Sequence, residues 1–328
     1  MKTWNTEEPL FRDPEHGIPI LYPALGACYF LEALTPEHAP AMAAAHALLA
    51  DWLGGSLRWT YNSAFPLLEK FRLEDLSYAA GFLRLLDTQT EGLPEEARIP
   101  TLNMRASFVQ DFSIDCHGAE QETWASPFQY RLSATIGDDE TVGKYLPSRI
   151  CLRFMLPATW PLDDFRQKAL TLARTLPLRW ANAGLTYAGW ELCWYEEVES
   201  AIFAHARRYP GFDIGQDAIL MNELFTSMRT VSWLNVIGPA LLERLRRKNK
   251  IPASTDLVQV WQDDANLVLQ AGEAPEAGDV NRLQIPRSYV QADEMLRAVR
   301  LGRGVNFFDD WDETTTGDWL TRFERRVS

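Results

Sequence analysis

The sequence predicts an α+β protein: antiparallel sheets with helices packed on one face, arranged as two related lobes. Three observations carry that expectation. Apolar residues at helical spacing alternate along the chain with strand-like alternation, as in α+β architectures. Some strands are joined by tight turns, which implies antiparallel pairing, and others by helices, which implies split β-α-β units. A strand, a Pro-containing helix and a strand occur near residues 19–61 and again near 150–194, a faint internal repeat. With 328 residues, the length fits two lobes in one compact unit, taken as 1–125 and 126–328. Pro, Gly and polar residues gather at Glu91–Pro100 and Gly118–Ser126, where a boundary belongs.

The helices follow from spacing and from their ends. Thr35-Pro36-Glu37 supplies a cap, a first-turn proline and a carboxylate near the positive end of a helix that runs to Trp52-Leu53 and stops at Gly54-Gly55. After Thr159, Leu162, Phe165, Ala169, Leu172 and Leu176 recur at steps of three and four, so one stripe faces a core, and Pro177 ends the run. A third helix begins at Pro239, carries Leu241, Leu242 and Leu245, and ends in Arg246, Arg247, Lys248 and Lys250. Those cations suit a helix C-terminus, and without interleaved aromatics they read as a solvated end rather than a nucleic-acid patch. A fourth spans about Ser288 to Arg300.

Alternation marks strands at Leu57–Tyr61, Met104–Cys116, Phe128–Ile136, Ile150–Leu156, Leu185–Trp194 and Val231–Ile237. Leu257–Gln270 reads as a hairpin turning at Asp263-Asp264.

Composition narrows the function. Apolar residues make up 46% of the chain and there are 12 Trp, enough for a large core. The 32 Lys and Arg against 45 Asp and Glu leave a net charge of −13. That balance disfavours nucleic acid as a direct partner, because duplex binding neutralises phosphates with cations. It suits a basic protein partner, and also suits plain solubility. The start, MKTWNTEEPL, has no basic segment followed by an apolar run, and the longest stretch free of charged residues, His16–Leu31, contains Pro19, Pro23 and Gly26. A cytoplasmic protein without a membrane segment is expected. Cys28, Cys116, Cys151 and Cys193 are scattered, without a C-x-x-C pair, and read as buried free thiols.

No catalytic motif stands out. The five His form no H-E-x-x-H, and neither a G-x-S-x-G elbow nor a phosphate-binding glycine loop is present. No cofactor or metal is implied. Asp111, Asp115 and His117 share one face of a strand while Phe108, Phe112 and Ile114 take the other. Two carboxylates and an imidazole suit metal-assisted hydrolysis, but the wet face of an amphipathic strand has the same pattern. The run Phe307–Glu313, FFDDWDE, is no calcium loop: counted from Asp310, Thr315 replaces the expected Gly and Thr321 the expected Glu. Its acids and aromatics fit either an interface, with Trp311 as anchor and Asp309, Asp310, Asp312 and Glu313 steering, or a loop whose aromatics tuck under the fold. Asp138-Asp139-Glu140 and Glu196-Glu197 offer further carboxylates to a basic partner.

Three runs carry a family resemblance: RYPGFDI at Arg208–Ile214, RTVSWLNVIG at Arg229–Gly238, and LQAGEAPEAGDVNR at Leu269–Arg282, followed by YVQADEMLRAVR. Together they resemble the TsiV-like family of type VI secretion immunity proteins, over most of residues 130–300. The residues themselves read as fold signatures: a turn at Tyr209-Pro210-Gly211, and Gly and Pro punctuating a loop in which Asp279 and Asn281 bond their own backbone. The resemblance implies a non-enzymatic antitoxin that binds a cognate effector, a nuclease with a basic substrate cleft, and occludes that cleft. Two alternatives stay open. One is an adaptor that loads the effector without inhibiting it. The other is a hydrolase built on Asp111, Asp115 and His117.

Overall fold

The longest uncharged stretch of the sequence is the central strand of the molecule. In the computed structural model, which describes residues 8–33, 36–62, 67–72, 111–121, 124–139, 144–189, 196–214, 226–301 and 311–324, Pro19–Leu31 forms strand β2, with all but one of its residues buried. A strand covered on both faces cannot alternate apolar with charged residues, because a buried charge without a partner is costly. The short strand β1, Phe11–Arg12, pairs with the start of β2.

The chain then turns through a 3-10 segment, Pro36–His38, into helix α1, Ala39–Leu53. Strands β3 (Trp59–Asn62), β4 (Leu67–Lys70), β5 (Asp111–His117), β6 (Gln129–Asp139) and β7 (Lys144–Pro157) follow. Helix α2, Leu162–Thr175, leads into β8, Leu178–Gly189, and helix α3 spans Glu196–Arg208. Strand β9 (Leu234–Ile237), helix α4 (Pro239–Arg247) and the hairpin of β10 (Val258–Asp263) and β11 (Asn266–Ala271) come next. Helices α5 (Arg287–Leu296) and α6 (Glu313–Leu320) close the described chain.

Among the described residues, eleven strands join one antiparallel sheet in the order β10-β11-β9-β8-β2-β7-β6-β5-β3-β4, with β1 beside β2. The antiparallel α+β class is as expected, and the described strands belong to a single sheet. Strand β2 lies between β7 and β8, and β5 pairs with β6 across the expected 125/126 boundary. Strand β2 is buried on both faces and is hydrogen-bonded along both edges, by β7 and by β8.

Helices α1 and α2 cover one face. Tyr29 donates its hydroxyl to the Ala169 carbonyl at 2.9 Å, and Phe154 meets Trp52 of α1 and Phe165 of α2. Fully burying a side chain such as Phe154 contributes about 1.5–3 kcal/mol. Trp180, Trp233, Trp311 and Trp319 are all core residues. No helix among the described residues is long and apolar enough to cross a membrane. Two helices were not anticipated, α3 and α6. The strand expected over Leu185–Trp194 is β8, which starts earlier, while 190–195 lie outside the described residues, as does Cys193. Cys28, Cys116 and Cys151 are buried free thiols.

Candidate partner-binding surface

The three runs singled out in the sequence meet in space. The turn at Pro210-Gly211 packs against the loop after β11. The Gly211 amide donates to the Ala277 carbonyl at 2.9 Å, and a Cβ at Gly211 would overlap the Glu276 carbonyl oxygen. Arg208, at the end of α3, holds the Asp279 carboxylate through two hydrogen bonds of 3.2 and 3.3 Å, and this guanidinium keeps Asp279 below the usual carboxylate pKa. In the middle run, Asn235 locks the approach to β9. Its side chain accepts from the Ser232 amide and donates to the Ser232 carbonyl, both at 2.8 Å. Trp233 donates its indole N–H to the Gly272 carbonyl at 3.2 Å, tying β9 to the same loop. Arg322, just after α6, donates to the Pro210 carbonyl at 2.7 Å and to the Thr230 hydroxyl at 2.9 Å. The signature residues thus weld α3, β9, the loop after β11 and α6 into one junction.

At its centre is a buried ion pair. Arg229 is fully buried and donates to Asp213 at 2.6 Å, while Asn182 of β8 donates to the same carboxylate oxygen at 2.8 Å. Burial pushes the Asp213 pKa up, but the charge and hydrogen bond of Arg229, with Arg322 and Asn182, more than offset this and leave it lowered. Beside the pair, on the face opposite Tyr29, lies a cleft floored by Gly26, Cys28, Asn182 and Gly184, with a cavity volume of about 10 Å³. That is room for about one water molecule and far below the size of a substrate site. Gly184 leaves the space into which Ser232 folds, its hydroxyl bonding the Ala183 carbonyl at 3.1 Å.

Asp111, Asp115 and His117 all lie in β5. His117, however, is fully buried, and its Nδ1 accepts from the Ala119 amide at 3.4 Å. In register, Asp115 stands opposite Arg131 of β6, and Arg131 opposite Arg153 of β7. Among the described residues, no group of three His, Cys, Asp or Glu is placed to hold a metal ion.

The acidic-aromatic run is divided by the fold. Asp309 and Asp310 lie outside the described residues. Trp311 is buried, with its ring 5.1 Å from that of Phe203 on α3. Its packing role here replaces that of an exposed anchor. Asp312 is the N-cap of α6 and accepts from the Thr315 amide at 2.6 Å, a bond that lowers its pKa. Glu313 sits in the first turn and is exposed. Asp138 and Asp139 end β6 opposite Tyr145 and Lys144, whereas Glu140 lies outside the described residues. Glu196-Glu197 open α3.

What the sequence did not reveal is where the surface is apolar. Among the described residues the large exposed hydrophobics are Ile251, Leu257, Val280 and Leu283. Leu283 is 91% exposed and adopts a positive φ of 57°. In the chain, Ile251 and Leu257 precede β10, and Val280 and Leu283 follow β11.

Comparison with known proteins places this architecture. The chain matches the Pseudomonas aeruginosa T6SS protein PA0821 with a TM-score of 0.68 at 18% identity, covering 94% of this chain and 86% of that one. At this identity the match shows a shared fold, one also found in a type VI secretion protein. Among curated proteins no sequence matches. The family model TsiV, type VI immunity for VRR-NUC, matches residues 82–323, well over half of the chain, and the chain belongs to that family. The match extends the sequence resemblance on both sides of residues 130–300.

Proposed function

We propose that this protein binds a VRR-NUC nuclease effector inside the producing cell and neutralises it by covering its active or substrate-binding cleft. The family match over residues 82–323 carries this reading. Electrostatics supports it. A nuclease must present a basic surface to DNA, and a partner with net charge −13 is drawn to that surface. Long-range attraction raises the association rate, which matters when an incoming toxin must be caught before it cuts. Exposed Glu313 and the carboxylates of Asp138, Asp139 and Glu140 belong to the acidic field that steers the encounter. No catalysis by this chain is required, because a protein that covers a cleft acts by occupancy.

The test is co-expression. The effector is produced in the cytoplasm of a sensitive host, with and without this protein, and viability and chromosomal integrity are scored. Protection together with a stable complex is the expected result. A complex without protection would mark an adaptor, and neither complex nor protection would end the immunity reading.

A further inference from the structure

Val280 to Gln284 is a run of five exposed residues, and its apolar members point to solvent although its base is rigid. The base is Asp279, buried and triply held. Its carboxylate accepts from Arg208 and from the Asn281 amide, and lies 3.5 Å from Arg282. Its backbone exchanges hydrogen bonds with Gln284, the amide donating at 2.7 Å and the carbonyl accepting at 3.0 Å. Between these residues the chain makes one 3-10 turn, Val280–Arg282, and Leu283 closes it in the left-handed region at φ 57°. A Leu there is unfavourable by its Cβ contacts, and exposing 91% of it forgoes its burial. Asn or Gly would close the turn with less strain. Strain and exposure at one residue, on a base fixed by the family's own signature loop, mark the tip as a feature of use to a partner.

The surroundings fit a partner interface. At the same end of the sheet the Leu257 carbonyl accepts from the Gly272 amide at 3.0 Å, bringing the segment before β10 against the loop after β11. Leu257 is exposed there, with Asp256, Glu273 and Glu276 exposed along the two segments. The outer edge of β10 is not the attachment point. Ser254 folds back along it, its hydroxyl donating to the Val260 carbonyl and accepting from the Val260 amide at 3.0 and 2.9 Å. An edge occupied in this way resists strand addition.

We infer that Leu283, with Val280 beside it, is the anchor by which this protein docks on the nuclease effector, entering an apolar recess next to the effector's basic DNA-binding surface. The inference rests on the immunity reading and names its contact surface. A second copy of this chain fits the tip poorly. Four scattered apolar side chains are too few for a self-associating interface, which needs a broad apolar core, and two chains of charge −13 repel. A basic effector reverses the sign of that interaction. The rigid base means that little conformational entropy is lost on docking.

The test compares wild type with Leu283→Asn, Leu283→Asp and Val280→Asp, measuring the Kd for catalytically inactive effector, the thermal midpoint and the molar mass in solution. Leu283→Asn relieves the backbone strain, so its midpoint should equal or exceed that of wild type, while its Kd weakens at least about tenfold. The two Asp variants should weaken binding further. Weaker binding with an undiminished midpoint cannot come from unfolding. If wild type binds and all three variants bind equally well, the docking site is elsewhere and only this inference fails. If wild type is a dimer that Leu283→Asn dissolves, the tip serves self-association and the inference is overturned. If wild type does not bind the effector, the immunity reading falls and the docking site with it.

Discussion

Asp213→Ala tests the signature junction at its most sensitive point. The substitution removes the carboxylate that accepts from Arg229 at 2.6 Å and from Asn182 at 2.8 Å, and so withdraws the Asp213 charge from a fully buried guanidinium. Breaking a buried ion pair from one side costs about 3–5 kcal/mol, because the remaining charge stays desolvated. At about 2–4 °C per kcal/mol for large domains, the thermal midpoint should fall by roughly 6–20 °C. Replacing both members, Asp213→Ala with Arg229→Met, removes the remaining charge and should regain most of the loss. Urea unfolding and thermal melts at pH 7 on the four members of the cycle measure this. The reasoning is refuted if Asp213→Ala lies within about 1 kcal/mol of wild type, or if the double variant is no more stable than the single. The sign with pH also follows. The folded pKa of Asp213 is lowered, so the pair's contribution is complete above the unfolded carboxylate value of about 4 and is lost as pH falls through the lower folded value.

Three further outcomes are expected. Burial, then the nearby Arg208, lowers the pKa of His205 to about 4, so the folded state refuses a proton that the unfolded chain accepts below pH ~6.5. Stability should therefore drop by about 1–2 kcal/mol between pH 7 and pH 5 on this account, and an NMR titration of the His205 ring should show a midpoint below 5, with a midpoint near 6.5 contradicting it. Gly211→Ala must displace the Glu276 carbonyl and should cost about 1–3 kcal/mol in urea unfolding, whereas Gly55→Ala, with open space around it, should be close to neutral. Association with the effector should slow steeply as salt is raised from 0.05 to about 0.5 M while dissociation changes little, and a salt-independent association rate would remove the steering argument.

Much of the fold is legible in the sequence where a pattern has one meaning. The stripe Leu162, Phe165, Ala169, Leu172 became the buried face of α2, and Pro239 with its trailing cations became α4. The hairpin expected at Asp263-Asp264 turns one residue later. Asp263 pairs with Asn266, and Asp264 takes the left-handed conformation that Asp tolerates. Helix α3 was readable in hindsight: acids open it, Arg207 and Arg208 end it, and Val198, Ile202 and Ala206 are buried at steps of four. Helix α6 hid behind Gly317 and three threonines, weak helix formers that the Asp312 cap and the burial of Trp319 and Leu320 outweigh.

The candidate surface was far less legible, for a physical reason. Alternation placed Asp111, Asp115 and His117 on one strand face, but whether another layer covers that face is a tertiary fact, and His117 is buried. FFDDWDE offered two readings, and the packing of Trp311 on Phe203 favours the tucked one for that side chain. In the opposite sense, Leu283 gives no hint of exposure, since an isolated Leu is expected inside. Only the turn geometry around Asp279 turns it outward.

The most direct measurement is DNA cleavage by the cognate VRR-NUC effector, titrated with this protein at fixed DNA and effector. Neutralisation by covering the cleft predicts that cleavage falls linearly with added protein and vanishes at a 1:1 molar ratio, with a matching loss of DNA binding by the effector. Undiminished cleavage at a several-fold molar excess, under conditions where the two proteins form a complex, would contradict it.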